Sequence, residues 1–249
     1  MEIDGAVAVV TGAAAGLGAA TADMLARRGA RVTALDLEVP PGAPSSTWLP
    51  LAADVASADA VDASFDAAIH TFGRVDVVVH CAGVAGGFRL IGRDGPADPE
   101  RFSRVIDVNL LGTFHVLRAA AWRMSRNRRS DGENGVVVTT ASIAAFEGQQ
   151  GQVAYSASKA GVVGMTLPAA RELAQFGIRC ATIAPGAFET ALTTDLPSGL
   201  QDQLTASVAF PRRLGRPREF ADLACAVIAN EMLNGEVIRL DAGARLAQR

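Results

Sequence analysis

Short apolar runs and longer amphipathic stretches alternate along this chain. Residues 6–10, 32–35, 75–81, 136–140 and 180–183 are apolar runs of strand length. Within each run apolar residues follow one another instead of alternating with polar ones. Both faces of the sheet they build are therefore expected to be covered. Residues 14–28 have helical spacing and end at Gly29, a stop signal. Residues 155–167 read as a helix ended by Pro168. Alternation of strand and helix predicts an α/β fold, a single-domain doubly wound parallel sheet of Rossmann-like form with helices on both faces. No repeat or linker interrupts the pattern, so one domain is expected over residues 1–249. The least regular segments, 86–99 and 190–217, are expected to be substrate loops, because open α/β sheets bind ligands at the carboxyl ends of their strands.

Composition narrows the classes. A chain of 249 residues, 49% hydrophobic and 20% charged, can build one good core but not two full-sized domains, and is not disordered. A net charge of −3 argues against a nucleic-acid partner, which calls for a basic face. Cys81, Cys180 and Cys225 form no CxxC pair, which speaks against a disulfide framework and against structural zinc. No His/Cys/Asp spacing suits any other metal, so no metal site is expected. The first 26 residues lack Lys and Arg and open with Glu2 and Asp4, unlike a signal peptide or a membrane span. A reducing, cytoplasmic setting is expected. The Arg cluster in 123–135 reads as a solvated surface, His70 and His115 as helical residues, and Trp48 and Trp122 as packing.

Residues 11–18 read TGAAAGLG between the first strand and the first helix. Gly12 permits a tight turn there, and Gly16 and Gly18 are expected to let a pyrophosphate approach the backbone at a helix N-terminus. Asp36 closes the second strand, 18 residues after Gly18, where an acid accepts from adenosine ribose hydroxyls and repels a 2′-phosphate. Neither Ala15 nor Leu37 supplies a base for such a phosphate, which favours NAD over NADP.

The chain has 22 Arg but one Lys, Lys159, four residues after its one tyrosine, Tyr155. On a helix these two share a face. A phenol with a pKa near 10 is a poor acid–base catalyst at neutral pH, and a nearby ammonium favours the phenolate. Ser142, just past the strand over 136–140, lies on the ligand side of the sheet. Asn109 sits within a helical stretch. The spacing alone singles out neither.

Together these residues resemble the short-chain dehydrogenase/reductase superfamily, along the whole length. The matching words are TGAAAGLG, Asp54-Val55, HCAG at 80–83, Asn109, Ser142, YSASK at 155–159, Pro185-Gly186 and Thr190. The resemblance implies catalysis by Tyr155, Lys159, Ser142 and Asn109. Tyr155 would be the acid–base, Lys159 would lower its pKa and bind the nicotinamide ribose, Ser142 would polarise the substrate oxygen, and Asn109 would support a relay water. It implies a cofactor site of Gly12, Ala15, Gly16, Leu17, Gly18, Asp36, Asp54, Val55, Cys81, Ala82, Gly83, Tyr155, Lys159, Pro185, Gly186, Phe188 and Thr190. Phe188 and Thr190 would flank the nicotinamide.

Longer words, RVIDVNLLGTFHV, GIRCATIAPGAF and LNGEVIRLDAGARL among them, are similar to the type II 3-hydroxyacyl-CoA dehydrogenases, including those that oxidise 3-hydroxy-2-methylbutyryl-CoA in isoleucine breakdown. That branch implies NAD, an acyl-CoA substrate, Gln152 near the substrate, and a homotetramer. The other readings are a short-chain enzyme acting on another alcohol or ketone (a hydroxysteroid, a sugar, or a 3-oxoacyl group) and a non-catalytic NAD-binding module. Three departures stand out. His80 replaces the usual Asn, which is expected to change packing on the adenosine side. Asp241-Ala242-Gly243 replaces the usual D-G-G. The loop over 86–99 is shorter than in the animal enzymes.

Overall fold

Seven parallel strands in the order β3-β2-β1-β4-β5-β6-β7 form the centre of the molecule. The computed structural model describes residues 1–246 except 94, 131 and 195–197. The strands are β1 (Val7–Thr11), β2 (Arg31–Asp36), β3 (Trp48–Ala52), β4 (Val77–His80), β5 (Gly135–Thr140), β6 (Ile178–Pro185) and β7 (Val237–Leu240). The longer helices are α1 (Gly16–Arg27), α2 (Ala58–Phe72), α3 (Pro99–Ile106), α4 (Gly112–Met124) and α5 (Val153–Leu173). One turn of helix, α6 (Ala191–Thr194), and α7 (Ser198–Ala206) precede α8 (Pro217–Ala229).

The continuous apolar strands are buried on both faces, as their pattern requires. Ala8, Val10, Val32, Ala34, Val77 and Val79 pack with Leu25 of α1 and Phe220 and Ile228 of α8. On the opposite face Val9, Leu35, Val78 and Val137 pack with Phe65 of α2, Val116 and Met124 of α4, and Leu173 of α5. Strand order reverses between β1 and β4, so the loops after these two strands diverge and leave a crevice at their carboxyl ends.

Three features depart from the expected elements. β3 and β7 are strands beyond the five expected, and β3 contains Pro50. It is tolerated because β3 is an edge strand, with a partner on one side only. α5 does not stop before Pro168 but runs to Leu173. Ala170 and Leu173 beyond the proline are buried in the core, and that burial carries the helix on. Between α3 and α4 the backbone widens into a π-helical turn, Asp107–Leu111, with buried Asn109 at its centre. Such turns redirect a side chain out of the regular helical spacing.

Candidate active site

A cavity of about 900 Å³ lies in the crevice. Its walls include Gly12, Ala15, Gly16, Leu17 and Gly18, with Asp36, Asp54, Val55, Cys81, Ala82, Gly83 and Thr190. Gly12 has φ of +68°, and a Cβ there would stand 2.8 Å from the Ala82 nitrogen. Only glycine lets the turn after β1 approach the segment after β4 this closely. A Cβ on Gly18 would lie 2.1 Å from the Gly12 carbonyl oxygen. Gly18 therefore packs α1 onto its own turn; opening the backbone to a phosphate is not what demands glycine there. Ala15 caps α1 without a side-chain hydrogen bond, and the first turn holds no acid. The leading N–H groups and the positive helix end are thus left for an anion.

Asp36 projects from the end of β2. Its Oδ2 accepts from the Ala14 N–H at 2.9 Å and its Oδ1 from the Leu37 N–H at 2.7 Å. Each oxygen keeps a further lone pair toward the cleft. Asp54 Oδ1 accepts from Ala56 N–H at 2.9 Å, which turns the chain into α2 and leaves Val55 on the cavity wall. His115 on α4 donates through Nδ1 to the Val55 carbonyl at 3.0 Å and so supports this wall, a role that its helical position alone does not mark. A phosphate-ready helix end and a carboxylate one strand away fit the two ends of an adenine dinucleotide's diphosphate–ribose unit.

The catalytic candidates gather beside this cleft. Ser142 follows β5, is buried, and accepts from the Ala144 N–H at 3.1 Å. Lys159 lies one turn along α5, its Nζ 5.8 Å from the Tyr155 ring centre, and donates to the Thr140 carbonyl at 2.9 Å. Asn109 Oδ1 accepts from Val84 N–H at 2.8 Å, and its Nδ2 donates to Val84 O at 3.0 Å and to Ser158 Oγ at 3.1 Å. Ser158 in turn donates to the Tyr155 carbonyl at 2.7 Å. Thr140, Val84 and Ser158 thus anchor the set, the first two through backbone atoms and Ser158 from within the YSASK word.

The charges differ from the simple expectation. Burial raises the Tyr155 phenol above its usual range, and the nearby Ser142 hydroxyl opposes this. The expected lowering by Lys159 is not the dominant effect. Burial also brings the Lys159 ammonium down to about 8.

Other expected residues fall differently. Phe188 is buried in the core, its ring against Gly215, so its side chain does not face the cleft. Pro185 ends β6, and Gly186 sits against Asp241. Gln152 precedes α5, its Oε1 accepting from Gln149 N–H at 3.2 Å. His80 does not line the cavity; it is buried beneath it, with Nδ1 2.7 Å from Thr11 Oγ1. Within 86–99 an isolated antiparallel bridge joins Ile91 to Pro96, and residue 94 lies outside the described residues. Part of 190–217 folds as α6 and α7, while 195–197 lie outside the described residues.

Comparison with known proteins decides the family. The model of the short chain dehydrogenase family matches residues 6–201. The chain belongs to that family. It is an oxidoreductase, of a family that uses NAD or NADP. It is 49% identical to human 3-hydroxyacyl-CoA dehydrogenase type-2, with 98% of this chain and 97% of that protein covered. It is 46% identical to the Drosophila melanogaster protein of the same name, covering 98% and 99%. A crystal structure of 3-hydroxyacyl-CoA dehydrogenase type-2 from Mycobacterium avium superposes with a TM-score of 0.89 at 39% identity, over 100% of both chains. Among the described residues no helix is long and apolar enough to cross a membrane, and no cluster of His, Cys, Asp and Glu could hold a metal ion.

Proposed function

We propose that this chain is an NAD-dependent dehydrogenase that interconverts a 3-hydroxyacyl-CoA, with 3-hydroxy-2-methylbutyryl-CoA as one candidate, and the 3-oxoacyl-CoA. The observation that carries the chemistry is Lys159 one helical turn from Tyr155 and tied to the Thr140 carbonyl at the end of β5, two residues before buried Ser142. The substrate oxygen sits between Ser142 and Tyr155. Ser142 orients it and polarises the C–O bond. The Tyr155 oxygen takes the hydroxyl proton in oxidation and returns it in reduction. Lys159, held by Thr140, stabilises the phenolate and donates to the nicotinamide ribose, while Asn109 keeps the backbone beside Lys159 in place for a relay water. The nicotinamide, when bound, supplies the hydride acceptor.

Asp36 is the reason to prefer NAD. Its carboxylate meets ribose hydroxyls and repels a 2′-phosphate. The acyl-CoA substrate is supported by the names of relatives nearly half identical over the full length. Gln152, just before α5, is the candidate for contact with the acyl group. A homotetramer is supported by large apolar side chains on the outer faces of α4 and α5, Phe114, Trp122 and Leu167, which are exposed in the single chain. Three unpaired thiols suit a reducing cytoplasm.

The deciding experiment measures reduction of acetoacetyl-CoA and 2-methylacetoacetyl-CoA with NADH and with NADPH, beside a steroid ketone and free acetoacetate. NADH-linked turnover of the CoA esters alone is expected. Turnover of the steroid alone, or a preference for NADPH, overturns the substrate or the cofactor reading respectively. Light scattering in the same samples tests the tetramer, and a monomer mass overturns it.

A further inference from the structure

His80 ends β4 and is buried in the sheet. Among the described residues the one hydrogen-bond partner of its ring is the Thr11 hydroxyl, 2.7 Å from Nδ1. Nε2, also buried, has no hydrogen-bond partner among the described residues. The direction of the His80–Thr11 bond follows from what else Thr11 does. Its hydroxyl oxygen accepts from the N–H of Ala82 at 3.2 Å and from that of Cys81 at 3.2 Å. The Cys81 N–H is shared with the Thr11 carbonyl, also at 3.2 Å. A hydroxyl has two lone pairs and one proton. With both lone pairs turned to amides, the proton points to the imidazole. Nδ1 is therefore bare, and the ring carries its proton on the unpartnered Nε2. Burial, aided by the charge of Lys159, keeps the ring neutral, with its pKa lowered to about 3.

This small network joins the two loops of the cofactor cleft. Thr11 is followed by Gly12, which opens the glycine turn. Cys81 and Ala82 line the opposite wall. The turn and that wall approach so closely at Gly12 and Ala82 that no Cβ fits between them.

We propose that His80 is a positioning residue for the cofactor: by accepting the Thr11 proton it fixes the Thr11 hydroxyl as the acceptor for the Cys81 and Ala82 amides, and so sets the width of the cleft. This rests on the reading that the cleft takes a nicotinamide dinucleotide. A ring that only filled space would gain nothing from an unpartnered buried N–H, which is destabilising. Here that N–H is the consequence of presenting Nδ1 as an acceptor.

Two measurements test it. The first is ¹⁵N–¹H NMR of the histidines in the cofactor-free protein, which reads the tautomer without any variant or activity. The expected result for His80 is a proton on Nε2 and none on Nδ1. A proton on Nδ1 overturns the proposal. The second compares His80→Asn with His80→Phe by NADH fluorescence titration, thermal unfolding and steady-state kinetics. Asparagine can offer an acceptor oxygen to Thr11, whereas phenylalanine fills the space without one. His80→Phe is expected to weaken NADH binding about tenfold, the effect of one buried hydrogen bond, with kcat at saturating cofactor little changed. His80→Asn is expected to bind within about threefold of the parent. A space-filling role predicts the reverse order, and equal binding by parent and His80→Phe overturns the proposal as well. Should His80→Phe not fold, His80→Asn binding and the NMR tautomer still decide. A parent protein that bound neither NADH nor NADPH would overturn the cofactor reading and this one together.

Discussion

The Lys159 ammonium donates to the Thr140 carbonyl at 2.9 Å, from a buried position one turn beyond Tyr155. That bond joins α5 to the end of β5 and sets where the chain's one lysine charge stands. A Cβ on Gly83 would come within 3.4 Å of Lys159 Nζ and 3.1 Å of Asn109 Oδ1, so the space is closely filled. A guanidinium is a wider planar fork. Lys159→Arg is expected to lower kcat on the order of 10²-fold or more, the scale of a lost acid–base arrangement. Steady-state turnover of acetoacetyl-CoA checks this. An Arg variant within a few-fold of the parent would contradict the role given to Lys159.

The Tyr155 phenol carries the proton, so removing its hydroxyl removes turnover and spares the cleft. Tyr155→Phe is expected to lose kcat by about 10³-fold or more while binding NADH with unchanged affinity. The two readouts are initial rates and NADH fluorescence. Loss of both together would assign Tyr155 to folding or cofactor binding instead.

The two shifts give the pH profile a sign. Burial raises the phenol, so at neutral pH it is protonated and ready to act as an acid. Lys159, lowered to about 8, is cationic below that pH and neutral above it. Reduction uses the phenol and the ammonium, so its kcat/KM is expected to be level below about pH 8 and to fall above. Oxidation uses the phenolate, so its optimum is expected at higher pH than that of reduction. Profiles from pH 6 to 10 with acetoacetyl-CoA and 3-hydroxybutyryl-CoA compare the two. Coincident optima would sink this assignment.

Asp36 does two jobs, and a specificity test has to separate them. Its oxygens hold the Ala14 and Leu37 amides, so truncation to alanine would loosen the glycine turn as well as remove charge. Asp36→Asn keeps an acceptor and removes the repulsion, and Leu37→Arg supplies a base at an exposed position. The double variant is expected to shift the NADPH-to-NADH preference by at least about tenfold, as one charged hydrogen bond gained warrants. The ratio of kcat/KM for the two cofactors reads it. An unchanged ratio would mean that other residues set the preference.

Where side-chain pattern encodes structure, the sequence was a good guide. The continuous valines of β1, β4 and β5 announced a sheet covered on both sides, and residues 11–18, Asp36, Tyr155 and Lys159 lie where their spacing implied. What it hid depends on tertiary context. Pro50 disguised β3, because only its edge position makes a proline admissible. Pro168 seemed to end α5, because the burial of Ala170 and Leu173 is invisible locally. The π-helical turn around Asn109 and the Thr140 carbonyl that holds Lys159 are backbone features without a compositional signal. Phe188 belongs to a matching segment, yet its ring packs inward.

One departure from the family pattern is expected to cost stability. Ala242 stands where D-G-G has its first glycine, and its φ is +51°. It is the one described non-glycine residue with positive φ. The conformation is held because the Ala242 carbonyl accepts from the Ala209 N–H at 3.2 Å and from the Phe210 N–H at 3.4 Å. A left-handed backbone costs an alanine about 1–2 kcal/mol that a glycine does not incur, partly offset by the freedom glycine loses on folding. The Ala242 side chain is exposed, so its removal forfeits little packing. Ala242→Gly is therefore expected to stabilise the fold by about 1 kcal/mol, or to raise Tm by roughly 2–4 °C in a domain of this size, with activity unchanged. The neighbouring Ala244 is the control. It is buried against Ile143 and Val208, so Ala244→Gly is expected to lower Tm. Calorimetry on both variants checks the pair. A lower Tm for Ala242→Gly would mean that the methyl group, and not the backbone, decides stability at this turn.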